Sequence, residues 1–136
     1  MKESRTRPVE KHKYSTYWKK ANEFHDGMDK AEADEEWNLT ALNAIHCAIS
    51  SVDAVTTFYL KQHSAGQRHE DAATLLGQTG LQEAKERGKQ LIDILSIKTL
   101  VEYEADEPTE SEARSLAEKT RKLFKWASRH LPKAGT

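Results

Sequence analysis

His46 and Cys47 stand side by side in the chain with Asp53 seven residues on, and these side chains are of the types that do thiolate or proton-transfer chemistry. An imidazolium beside a thiol favours the nucleophilic form, but neighbours on a helix point about 100° apart, so adjacency in sequence does not build a dyad. Cys47 is therefore read as buried packing. His46 and Asp53, two helical turns apart, share a face, either as a hydrogen-bonded pair that orients neighbouring helices or as groups the protein uses. Arg68 and His69 form a second candidate site. In a loop ahead of a short helix, backbone donors and these two side chains would complement an anion; the other reading is a helix start capped by His69 or Asp71, with Gly66 making the turn. His63 lies near enough in sequence to join either version.

Other chemistries find no residues. There is no Walker loop, no dinucleotide-binding glycine fingerprint, no HExxH and no GxSxG. One cysteine rules out paired CxxC ligands, and the six histidines show no metal-binding helical repeat, so neither a metal nor a cofactor is expected.

The elements that must position these groups read as helices. Residues 41–60, ALNAIHCAISSVDAVTTFYL, lack Gly and Pro, repeat apolar residues at spacings of three and four (Ile45, Ala48, Ile49, Val52, Val55, Tyr59), and carry small residues elsewhere. That is the pattern of a central helix packed from several sides. A first helix is expected from about Pro8 or Lys11 to Lys30, with Tyr14, Tyr17, Trp18, Ala21, Phe24 and Met28 as its apolar stripe. Asp34 is the expected N-cap of the second helix, which continues to about His63. A short helix from about Glu70 to Leu76 closes at Gly77 and Gly80, and a longer one carrying Leu81, Ala84, Gly88, Leu91 and Leu95 runs toward Tyr103 and breaks at Asp106-Glu107-Pro108. Thr109 with Glu112 is a capping-box signature for a last helix that stops before Pro132. The expected fold is all-α: an up-and-down bundle of about five helices, one domain over residues 11–131, with mobile tails at residues 1–10 and 132–136.

At 136 residues the chain fits a single domain. Its 21 Lys and Arg against 22 Asp and Glu leave a net charge of −1, so binding to nucleic acid or an acidic membrane must come from a local patch. The start of the chain, with Lys2, Arg5, Arg7, Lys11 and Lys13, is either such a patch or a solvated tail. A lone Cys suits a reducing compartment, and no apolar run approaches the ~18 residues of a membrane span, so a cytoplasmic protein with no membrane contact is expected. Tyr14, Tyr17 and Trp18 make an aromatic strip that a small bundle leaves exposed, a motive for a homodimer.

The order of Trp37-Asn38, residues 41–60, Ser64-Ala65-Gly66-Gln67-Arg68-His69-Glu70-Asp71-Ala72, Leu75-Leu76, Ile97-Lys98-Thr99-Leu100-Val101-Glu102-Tyr103-Glu104, and a last helix with Ala113, Ala117 and Trp126-Ala127 resembles the HEPN superfamily (higher eukaryotes and prokaryotes nucleotide-binding domain). The resemblance implies a helical bundle that dimerises and binds a nucleotide, an RNA or a partner protein, in the setting of a toxin–antitoxin pair or a nucleotidyltransferase partner. Family ribonucleases carry an Arg and, several positions on, a His. Here Lys98 stands for the Arg and Tyr103 for the His. An unperturbed Tyr, with a pKa of about 10, moves no proton near neutrality. The resemblance therefore implies a noncatalytic or divergent member in which Lys98, Glu102 and Tyr103 bind ligand, with a metal-independent ribonuclease using Lys98 and Tyr103, or a helical adaptor without ligand, as alternatives.

Overall fold

Small residues let helices approach closely, and the second helix is built from them. The computed structural model describes residues 6–64, 69–98, 101 and 107–133. Among these, five α-helices form the bundle: α1 (Tyr14–Ala33), α2 (Trp37–Leu60), α3 (His69–Gly77), α4 (Ala84–Leu95) and α5 (Glu110–His130). Helix α2 is the axis, with Ala41, Ala44, Ile45, Cys47, Ala48, Val52, Ala54 and Val55 all at 2% exposure or less. No helix is long and apolar enough to cross a membrane.

Helix α1 lies antiparallel to α2. A Cβ on Gly27 would come within 3.1 Å of the Asn43 side chain, so the glycine that weakens the helix also allows the close crossing. Tyr14 meets Phe58 edge-on at 5.0 Å and Trp18 stacks on Phe124 at 4.7 Å, so each of these half-buried rings has an aromatic neighbour within the chain. Helix α5 runs parallel to α2: the Thr120 hydroxyl donates to the Ala44 carbonyl at 3.3 Å, and the Tyr59 hydroxyl donates to that of His130. Trp126 anchors α5 to the turn before α4, with its Nε1–H donating to the Gln82 carbonyl at 2.9 Å.

Local signals decide several ends. The Thr109 hydroxyl accepts from the Glu112 amide and the Glu112 carboxylate accepts from the Thr109 amide, the reciprocal cap expected at the start of α5. Three expectations are corrected. Asp34 ends α1 and Glu36 precedes α2, because the turn between them reuses Lys30, Ala31 and Glu32 carbonyls rather than a side-chain cap. Helix α2 stops at Leu60, where Lys61 turns left-handed (φ 55), and His63 falls in a strand, β2 (Gln62–Ser64). Within the stretch expected as a tail, β1 (Thr6–Pro8) pairs antiparallel with β2, and the Val9 amide donates to the Lys61 carbonyl. Pro8, which cannot donate to a ladder, sits at the end of this two-stranded sheet.

The Thr57 hydroxyl is buried without a hydrogen-bond partner. An unpaired buried hydroxyl costs about 1–3 kcal/mol, and Val has the same shape and a similar helix propensity. Thr57→Val is expected to raise stability by about 1 kcal/mol, read as a higher urea midpoint at unchanged slope.

Candidate functional site

The thiol does not make a nucleophile. Cys47 is fully buried, and burial pushes its pKa up to about 12, with Ser51 acting the other way and Asp29 adding to the rise. His46 and Asp53 share a face of α2 but have separate surroundings. The His46 ring stacks on Phe24 at 5.2 Å, while Asp53 lies near Lys20 and Tyr17 of α1. Burial pushes the Asp53 carboxyl up to about 7, with Lys20 pulling it partly back, and the Tyr17 phenol rises through its own burial and the nearby Asp53.

A stability prediction follows from Asp53. Its unfolded reference is 3.8, so the native chain binds the extra proton between the two values; the stability this confers is full below about pH 3.8 and is lost as pH rises through about 7. In thermal melts of dilute protein across that range, Asp53→Asn is expected to flatten the profile and to exceed wild type in stability on the alkaline side.

The sequence candidates do not converge. Lys98 is half-buried just beyond α4, where Ile97 lines a cleft with Ser111, Glu112 and Ser115 at the start of α5. Glu102, Tyr103 and Arg68 lie outside the described residues, as does the His69 side chain, whose backbone opens α3. His63 packs its ring on Tyr17 at 5.6 Å from β2. Among the described residues, no group of three or more His, Cys, Asp and Glu side chains is placed to hold a metal.

What the fold does bring together is charge. Residues 6–20 carry Arg7, Lys11, Lys13, Lys19 and Lys20 against Glu10, and residues 122–133 carry Lys122, Lys125, Arg129 and Lys133 with no carboxylate. Residues 21–36 carry seven carboxylates and one lysine, and residues 107–118 carry four carboxylates and one arginine. Helices α1 and α5 are antiparallel: Trp18 and His25 stack on Phe124, and Asp29 and Glu32 bind Arg121. Their basic segments therefore meet at one end of the bundle, together with Lys61, and their acidic segments meet at the other. A nearly neutral chain becomes a strongly polarised molecule.

The acidic end is internally paired. Arg121 donates to Asp29 and Glu32, and Arg114 lies 3.6 Å from Glu32 and over the Trp37 ring. Burial would lower the Arg121 pKa, but the two carboxylates outweigh it and the net shift is upward. At the basic end, Lys11 sits over the Phe58 ring, and Glu83 is shared by Arg87 and Arg129. Among the described residues, no carboxylate lies within 4 Å of Arg7, Lys13, Lys61 or Lys125, which are all exposed. Tyr59, 39% exposed, lies at the same end, two residues before Lys61, with its hydroxyl on the His130 carbonyl.

No family model, curated protein or solved structure matches the chain. The geometry must speak for itself. Helix dipoles explain half of the polarity, since α5 begins with Glu110 and Glu112 and ends with Arg129 and His130, each charge opposite to its helix end. Helix α1 does the reverse. It has no acid in its first turn and follows Lys11 and Lys13, and at its C-terminal end Asp29, Glu32 and Asp34 outnumber Lys30, a distribution that on balance runs against its own dipole. Compensation of helix ends therefore does not account for the basic pole. The signal was present in the sequence as two opposed charge gradients, one in the first helix and one in the last, but its meaning depends on their antiparallel packing.

Proposed function

We propose that this chain is a noncatalytic, HEPN-like cytoplasmic module that binds single-stranded RNA at the basic end of its bundle. The observation that carries the reading is the charge of α1, which opposes the helix's own dipole and places its cations beside those of α5. Unpaired cations held on separate elements neutralise phosphates along a flexible strand, and an exposed aromatic among them offers a face on which a base stacks. Arg7, Lys13, Lys61 and Lys125 would supply the phosphate contacts and Tyr59 the stacking surface. The family resemblance, and the toxin–antitoxin or nucleotidyltransferase setting it implies, belong to the proposal and lend it no independent support.

The test is retention of a labelled, unstructured RNA of about 20 nucleotides by purified protein, without added metal and at low ionic strength. Retention of intact RNA is expected, with a dissociation constant in the range of about 1–100 μM typical of backbone-driven binding. Absence of retention in that range would overturn the reading. Cleavage that co-purifies with the protein and is lost in Tyr103→Phe would overturn the noncatalytic part.

A further inference from the structure

Helices α3 and α4 pack antiparallel, with Gly88 against the Ala73 carbonyl and Gly77 against the Lys85 side chain. The two glycines have different causes. A Cβ on Gly88 would come within 3.1 Å of that carbonyl, so the crossing itself demands glycine there. A Cβ on Gly77 would meet nothing nearer than the Lys85 Cγ at 3.6 Å, an ordinary contact, and the left-handed turn after α3 is taken by Gly80, at φ 70. Neither packing nor backbone conformation therefore calls for glycine at position 77, where most other residues would favour the helix. What the missing side chain leaves is a groove of about 430 Å³ on the solvent side of the hairpin, with Ala73, Gly77, Gly88 and the half-buried Ile92 as its apolar lining. Lys85 and Lys89 stand on its α4 edge, both exposed. Like charges one turn apart on a helix repel, and among the described residues no carboxylate lies within 4 Å of either lysine.

We infer that this groove binds a medium-chain alkyl carboxylate, with its head between the Lys85 and Lys89 ammonium groups and its chain lying over Ala73 and Gly88 toward Ile92. The groove is graded in that sense along one face of α4: Lys85, Gly88, Lys89 and Ile92 follow at intervals of three and four, cations at one end and an apolar side chain at the other. From Lys85 to Ile92 is two helical turns, about 10 Å. That length is too short to seat a partner helix, and the volume is that of a small-ligand site. Two ammonium groups on successive turns offer a donor to each oxygen of one carboxylate. The guanidinium fork and free helix N-terminal amides that favour a phosphate head do not line the groove. A bound carboxylate would relieve the lysine repulsion while its chain covers the apolar lining, so one ligand answers both features. None of these residues belongs to the surface assigned to RNA.

Amide NMR of the full chain at neutral pH, titrated with hexanoate, octanoate and decanoate below micelle formation, tests it. Decanoate is expected to shift the amides of α3 and α4 selectively, with a dissociation constant on the order of 0.1–1 mM, and each methylene added along the series is expected to tighten binding about two- to fourfold. Decanol keeps the chain and loses the charge, and is expected to bind at least about fivefold more weakly. Lys85→Gln combined with Lys89→Gln should bring decanoate down to the decanol value and leave decanol unchanged. Gly77→Leu fills the groove from its floor and is expected to weaken decanoate at least about tenfold without lowering the melting temperature. Absence of binding, shifts scattered over the whole chain, affinity independent of chain length, equal affinity for decanol, or undiminished binding in either folded variant would each overturn the inference. Tighter binding of decyl phosphate than of decanoate would overturn the carboxylate assignment, and concentration-dependent shifts of the same amides without ligand would overturn it in favour of a second copy covering the groove.

Discussion

Trp126→Ala is expected to destabilise the bundle by about 3–5 kcal/mol, the cost of emptying a large aromatic site that surrounding helices only partly refill. Trp126 is 1% exposed and heads the set of largest buried side chains. Its ring packs with His130 at 5.0 Å, and its Nε1–H holds the Gln82 carbonyl, so one side chain joins the end of α5 to the turn that launches α4. Removing it opens a cavity and strands a carbonyl together. Domains of this size have about 5–15 kcal/mol in total, so the variant should unfold at a much lower urea concentration with an unchanged slope. Trp126→Phe keeps most of the volume and loses the hydrogen bond, and should fall between the two. A small effect of the alanine variant would mean that α5 is held chiefly by Leu123, Ala117 and the Arg121 ion pairs.

The second large effect is on binding. Replacing Lys13, Lys61 and Lys125 together by Glu is expected to weaken RNA retention on the order of 100-fold at low salt, because each removes a phosphate contact and adds a repulsive charge. All three side chains are exposed and sit on different elements, so stability should change little. The matching control reverses Glu35 and Glu36, at the acidic end, to Lys. Under the proposed polarity these changes leave retention unchanged or slightly stronger. A gain in the Glu35 and Glu36 variant comparable to the loss in the lysine variant would show that net charge, and not the basic end, governs binding.

Much of this architecture was legible because its causes are local. The Thr109–Glu112 cap, the Gly/Pro breaks and the Ala-rich central helix depend on residues a few positions apart. The β1–β2 pairing was not legible, since Thr6–Pro8 has no strand-length alternation and its partner exists only because Lys61 adopts a left-handed turn. Periodicity marked Ile49 and Tyr59 as one buried set with Ile45 and Val52, yet Tyr59 is exposed and Ile49 is only half-buried. Spacing tells which residues share a face, and only packing tells which face lacks a neighbour. The in-chain neighbours of Tyr14 and Trp18 were not legible either, since Phe58 and Phe124 lie 44 and 106 positions away in the chain. The basic end was half legible: the charge gradients of the first and last helices are in the sequence, and their coincidence is a property of topology.

The most direct measurement is the salt dependence of RNA affinity for wild type and the Lys13, Lys61, Lys125 reversal. A strand that neutralises about four to six phosphates at the basic end loses affinity with a log–log slope of about −3 to −4, and removing three contacts should bring that slope about two closer to zero. A wild-type slope near zero, or a steep slope that the reversal leaves unchanged, would contradict a binding surface at this end of the bundle.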